Sequence, residues 1–188
     1  VEQNIKGNLN ILEAGIVNKI NRYIFASTVY VYSQSGGFYR CSKQACEILI
    51  ENFSKEYGLE FNILRYGSLY GHRANKFNFI STVITQALKD GKITRKGDGN
   101  EIRDYIHVLD AAEASVNILE SKLSNSHLII KGTQTIKVKV LLNMLKEMFD
   151  NKIQIEYLSK SNYKGHYQLT PYSFKPKVAK KYTLREYH

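Results

Sequence analysis

Tyr39 and Lys43 stand four residues apart in Tyr39-Arg40-Cys41-Ser42-Lys43. On a helix that spacing puts both on one face, one turn apart. An ammonium held there favours phenolate over phenol and lowers a tyrosine pKa from its usual value of about 10. A tyrosine tuned in this way can take a proton from an alcohol near neutral pH. The pair alone says little. The chain has 14 tyrosines, and with its many lysines chance supplies roughly 1.5 such matches. A second group strengthens it. Thr28 lies in Ala26-Ser27-Thr28-Val29-Tyr30-Val31-Tyr32, directly after a predicted strand. A hydroxyl at the C-terminal end of a parallel strand sits where such sheets bind ligands. Thr28 could share the transferring proton with Tyr39; a capping or edge hydroxyl is the bland alternative.

The elements that must position these groups are legible in the pattern. Residues 1–20 carry Ile5, Leu9, Leu12 and Ile16 at helical spacing. Arg22–Ser27 is short, aromatic and β-branched, and reads as a buried strand. A loop with Ser35-Gly36-Gly37 follows. Tyr39–Tyr57 reads as a helix with Ala45, Ile48, Leu49 and Phe53 on its apolar stripe, ended by Gly58. Phe61–Tyr66 is another strand. Strand, helix, strand is a βαβ unit, which requires a parallel sheet and a right-handed crossover. Further on, helices are expected over Phe77–Leu88, His107–Leu123 and Ile136–Phe149. Strands are expected over Lys92–Lys96, Ser126–Lys131 and Ile153–Leu158, the last alternating as an edge strand does.

Length and composition bound the answer. The 188 residues suffice for a domain with a sizeable core, and 43% apolar with 23% charged residues describes a folded chain. No apolar run approaches the 18 or so residues of a membrane span, and no signal-peptide core is present. Cys41 and Cys46 fit neither a disulfide framework nor a zinc site, and the five histidines are scattered. A cytoplasmic protein without a metal is therefore expected. The net charge of +10 is uneven: about +2 falls on residues 1–130 and +8 on 131–188. A basic C-terminal third suits an anionic partner or simply solubility.

Two more segments complete an ordered set. Leu64-Arg65-Tyr66-Gly67-Ser68-Leu69-Tyr70-Gly71 follows the second strand. Later comes Gly97-Asp98-Gly99-Asn100-Glu101-Ile102-Arg103-Asp104-Tyr105-Ile106-His107-Val108-Leu109-Asp110. In this order and spacing the four segments resemble the extended short-chain dehydrogenase/reductases that act on nucleotide sugars, the epimerase/dehydratase family. The resemblance covers most of residues 1–135. Each motif is weak; the ordered set is specific.

The resemblance implies an α/β fold, the C-terminal part of a Rossmann-type doubly wound parallel sheet plus a small mixed α/β substrate domain. It implies that residues 1–71 belong to the NAD-binding domain and 72–188 mainly to the substrate domain, with 107–131 returning to the Rossmann part. It makes Tyr39 the catalytic base/acid and Lys43 the residue that lowers its pKa and holds the nicotinamide ribose. Thr28 would bond the sugar's 4-hydroxyl. Asn4, Ser27, Tyr66 and Gly67 fall on the cofactor side. Ser68 and Arg103 fall on the substrate, Arg103 gripping its diphosphate through a charge-assisted contact. The bland alternative for Arg103 is a surface pairing with Asp104 or Glu101. Three positions depart from the family pattern: Ser68 replaces the usual Asn, and His72 the usual Pro. Lys175-Pro176 replaces Arg-Pro, giving a second phosphate ligand with a point charge in place of a fork.

The family's N-terminal glycine-rich βαβ unit, which cradles the dinucleotide pyrophosphate, has no counterpart in these residues. The sequence is therefore expected to be the C-terminal two-thirds of a longer enzyme, with strand Arg22–Ser27 left at an open sheet edge. Alone, it is expected to bind dinucleotide poorly and turn over little. The resemblance implies NAD, with NADP open, and a nucleotide-diphosphate sugar as substrate. Dehydratases of the family carry an Asp-Glu pair after the Thr, and decarboxylating relatives a Glu; here Val29 and Tyr30 stand there. Their absence favours 4-epimerisation over 4,6-dehydration, and a 4-keto-sugar reductase stays open. In relatives the helices near 1–19 and 39–57 form a four-helix bundle with a second subunit, which implies a homodimer. Neither a membrane nor a nucleic acid is expected as partner. Readings of other classes are a non-catalytic binding protein and a nucleic-acid surface built from the basic third with Tyr157, Tyr163, Tyr167 and Tyr172.

Overall fold

The computed structural model describes residues 2–33 and 36–158. Lys175, Tyr163, Tyr167 and Tyr172 lie outside the described residues. The chain opens with a π-helical turn, Glu2–Lys6, that runs into helix α1, Gly7–Val17. Strand β1 is Arg22–Thr28. A 3-10 turn, Val29–Tyr32, leads to α2, Gly37–Tyr57. Gly58, at φ 71°, ends that helix in the left-handed conformation that glycine adopts without strain. Strand β2, Glu60–Tyr66, pairs parallel with β1 over the whole length of both, Arg22 opposite Glu60 and Thr28 opposite Tyr66. The βαβ unit expected from the hydrophobic pattern is thus present.

Beyond it the chain builds two smaller sheets. Strand β3, Ser68–Tyr70, is followed by α3, Phe79–Asp90, and β4, Lys92–Lys96. Next come β5, Ile102–His107, and α4, Val108–Glu120. Then β6, Ser126–Ile130, and β7, Thr135–Lys137, lead to α5, Val138–Met148, and β8, Gln154–Leu158. Strand β6 returns to the first sheet, which has the order β1-β2-β6 and is parallel throughout. Strand β5 pairs parallel with β3 and antiparallel with β7, while β4 and β8 form a parallel pair.

Helices cover both faces of the first sheet, which defines a doubly wound α/β fold. On one face Leu12 of α1 and Cys46 and Ile50 of α2 pack on Phe25, Phe61 and Ile63. On the other, Ala111 of α4 packs with Leu64, Ile106 and Ile130. A separate core gathers α3, β4 and α5 around Val83, Ile93, Val138 and Leu142.

Four expectations are corrected. Ile48, placed on the apolar stripe of α2, is 58% exposed, and the buried line runs through Ser42, Cys46 and Ile50. Residues 102–107 and 68–70 form strands that local pattern did not indicate. Arg103 and Asp104 sit mid-strand and break the apolar alternation, yet both are buried because tertiary structure covers them. The helix expected from Ile136 starts at Val138, because Thr135–Lys137 is drawn into pairing with β5. The helix expected to start at His107 begins at Val108, with His107 Nδ1 capping the Leu109 N–H.

Candidate functional site

Strand β1 ends at Thr28, whose hydroxyl oxygen accepts from the Tyr30 N–H at 3.3 Å and so caps the 3-10 turn. The capping reading and the functional one therefore coexist. A hydroxyl accepts through a lone pair and keeps its proton for another partner. The Tyr39 phenol is close enough for that hydroxyl to lower its pKa. The Tyr30 ring stands edge-on to the Tyr39 ring, centroids 6.3 Å apart.

Tyr39 is 48% exposed, and its open side lines a cleft of about 890 Å³. Ser68, Asn78, Phe79, Arg95, Arg103 and Tyr105 are among the residues that form its other walls. The cleft thus lies between the turn after β1, the start of α2, the start of α3 and the β3–β5 sheet. Arg103 is only 5% exposed, and its Nε has no hydrogen-bond partner among the described residues. The expected rivals for its charge are engaged elsewhere. Glu101 pairs with Arg95, and Asp104 accepts from Lys131 at 2.9 Å and Thr135 at 2.6 Å. Arg103 and Arg95 both lie over the Phe79 ring, at 5.2 and 4.8 Å. A buried guanidinium without a counter-charge is costly unless an anion completes it.

Lys43 is held at strand β1. Its Nζ donates to the Ala26 carbonyl at 2.8 Å and lies 4.6 Å from the centre of the Phe25 ring. Burial pulls the Lys43 pKa down, against the pull of Cys46 and Glu47. Burial raises the Tyr39 pKa, and the Thr28 hydrogen bond offsets part of that rise. The sequence-based expectation of a lowered phenol therefore has the wrong direction for this arrangement. Helical spacing fixes Cα positions but not where a flexible ammonium settles.

The remaining expected residues separate into groups. Asn4 Nδ2 donates to Ser42 Oγ at 2.8 Å, which fixes the N-terminal turn beside Lys43. Ser27 is buried and its hydroxyl donates to Glu47, so its side chain does not face the cleft. Tyr66 shares a hydrogen bond with Ser115 on α4. Gly67 has a packing role: a Cβ there would stand 2.6 Å from the Asp104 carbonyl oxygen. Sequence reasoning missed Phe79 and Arg95 in the cleft, and Glu47 behind it. Glu47 follows Lys43 by four residues, a helical interval that was open to notice. Among the described residues, no group of three or more His, Cys, Asp or Glu could hold a metal ion, and no helix is long and apolar enough to cross a membrane.

A parallel doubly wound α/β sheet defines a broad class of protein, and comparison with known proteins narrows it. Residues 1–131 match the model of the NAD dependent epimerase/dehydratase family, and the chain belongs to that family. It is 32% identical over 136 residues to a putative UDP-glucose 4-epimerase of Methanocaldococcus jannaschii, covering 63% of this chain and 45% of that protein. It is 26% identical over 172 residues to a UDP-glucuronate 4-epimerase of Thermodesulfobacterium geofontis, covering 85% and 53%. Among solved structures, it resembles UDP-glucuronic acid 4-epimerase from Bacillus cereus in complex with UDP-glucuronic acid and NAD. The TM-score is 0.78 and the identity 26%, over 85% of this chain and 55% of that one. The chain spans about half the length of the curated relatives it matches.

Proposed function

We propose that this chain is the catalytic and substrate-binding part of an NAD-dependent nucleotide-sugar 4-epimerase. The observation that carries the reading is the shared cleft: the Tyr39 phenol, beside Thr28, stands at one wall, and the buried Arg103 guanidinium, with no ion-pair partner among the described residues, at another. A nucleotide sugar has the matching chemistry, a secondary alcohol at one end and a diphosphate at the other. Arg103 takes the diphosphate; Lys175, outside the described residues, is assigned as a second phosphate ligand by the family resemblance alone. Ser68 lines the cleft beside the sugar.

Tyr39 takes the proton of the sugar's 4-hydroxyl while the C4 hydrogen departs as hydride, leaving a 4-keto sugar. When the sugar is bound, the Thr28 proton turns from the phenol to the same oxygen and holds it at Tyr39. NAD, when bound, supplies the hydride acceptor and later the donor. Lys43 and Asn4 stand on its side of Tyr39, and the carboxyl ends of β1 and β2 are where parallel sheets take such ligands. With Tyr39 raised by burial, the phenolate needs added positive charge, and Lys43 is the cation one turn away. The ketone then turns over and receives hydride on its other face, while Tyr39 returns the proton. Val29 is buried and Tyr30 lines the cleft, so neither position after Thr28 offers the carboxylate that elimination of water would need.

Residues 1–71 with 107–131 form the dinucleotide side, and the rest forms the substrate side. Free Cys41 and Cys46 agree with a cytoplasmic setting. The longest polypeptide the gene encodes, incubated with NAD and UDP-sugars, is expected to interconvert a pair of 4-epimers. A 6-deoxy-4-keto product would overturn the assignment.

A further inference from the structure

Behind the Tyr39–Thr28 contact lies a buried ion pair that takes no part in the proton or hydride steps. Glu47 stands on α2 one turn past Lys43 and two turns past Tyr39. It is 5% exposed. Arg65 of β2 bonds both its carboxylate oxygens, Nε to Oε1 at 3.1 Å and Nη2 to Oε2 at 2.5 Å. Ser27 Oγ donates to Oε1. The other arm of Arg65, Nη1, donates to the Tyr32 hydroxyl, and its guanidinium lies 4.8 Å from the centre of that ring.

These partners bracket the site. Ser27 is the residue before Thr28, and Tyr32 closes the turn that Thr28 caps. Glu47 and Arg65 therefore clamp the chain on both sides of Thr28 to the helix that carries Tyr39 and Lys43. The apolar contacts between α2 and the sheet, Cys46 and Ile50 on Phe25 and Ile63, are non-directional and tolerate small slides. Bidentate hydrogen bonds do not. Buried ion pairs are poor stabilisers compared with apolar residues of equal volume, so stability alone does not account for this one.

We propose that Glu47, held by Arg65, is a positioning residue that fixes the rotation and height of α2 against the end of β1 and so sets the Tyr39–Thr28 contact. Its effect on turnover rests on the 4-epimerase reading; its effect on the Tyr39–Thr28 contact does not. A displacement of about 1 Å at such a contact is enough to cost on the order of a hundredfold in rate.

The test uses protein labelled with [13Cζ]tyrosine, the Tyr39 resonance being assigned by loss in Tyr39→Phe. A double variant, Glu47→Leu with Arg65→Met, replaces the pair by apolar side chains. It is expected to unfold no earlier on heating than the parent. Its Tyr39 resonance should move toward the position found in Thr28→Val. Turnover should fall about tenfold or more with KM changed far less. Ser27→Ala, which cuts only the tie from Glu47 to β1, should move the same resonance by a smaller amount. A folded double variant whose Tyr39 resonance matches the parent overturns the proposal. If the double variant does not fold, an unmoved resonance in Ser27→Ala overturns it equally. An unsubstituted protein inert on every UDP-sugar removes the 4-epimerase reading and leaves the resonance to decide.

Discussion

Tyr39 is a half-buried phenol whose proton is held more tightly than in water, with one hydroxyl pulling the other way. Two consequences follow at this scale. Tyr39→Phe keeps the ring against Tyr30 but removes the base, so kcat should fall on the order of a hundred- to ten-thousandfold with thermal stability little changed. Because burial raises the pKa, the basic form grows as pH rises, and kcat/KM should climb along an alkaline limb. Thr28→Val removes the hydroxyl that lowers that pKa, so the limb should move to higher pH; a pH profile of kcat/KM, which reports the free enzyme, measures it. Arg103 makes a separate prediction. A hydrogen bond to a charged group is worth about 1.5–3 kcal/mol, so Arg103→Met should weaken UDP binding roughly ten- to hundredfold in calorimetry. Unchanged affinity would remove Arg103 from the diphosphate.

Elements bring these residues together by the way strands hand over between sheets. Strand β2 runs into β3 through Gly67, whose N–H donates to the Ile130 carbonyl at 2.9 Å. At that step β5 crosses so closely that only a hydrogen fits toward the Asp104 carbonyl. Backbone on both sides leaves little room to yield, so Gly67→Ala should destabilise by about 1–3 kcal/mol, seen as a lower urea midpoint. The same step carries Ser68 away from the first sheet and into the wall of the cleft. The other wall depends on α3, which Asn78 starts by accepting from the Ser81 N–H at 3.2 Å. Its side-chain amide also donates to the Leu69 carbonyl at 2.7 Å, tying the helix to β3.

For the molecule as a whole, exposed apolar side chains on the first two helices stand out. Ile11 and Val17 of α1 and Ile48 of α2 are 56%, 80% and 58% exposed. Such apolar exposure on two helices suits association, and the family resemblance implies a homodimer through them. Sedimentation should show a dimer, and Ile48→Glu should shift it to monomer; a monomeric unsubstituted protein would refute the arrangement. On the sheet side, β1 pairs with β2 and with no other described strand.

The sequence alone determined the βαβ unit, because hydrophobic period and the Gly58 stop are local signals. It also determined the family, because four weak motifs in one order are jointly specific. It placed Tyr39, Ser68 and Arg103, 64 positions apart from first to last, in a list but not in a cleft. Burial and pairing between distant segments decided that Arg103 has no ion-pair partner among the described residues, that Lys43 rests on the Ala26 carbonyl, and that Glu47 grips Arg65. Those outcomes depend on which side chains meet across strands and on how much water they lose. Neither quantity is encoded in any short stretch of chain, so only the tertiary structure fixes the direction in which the phenol titrates.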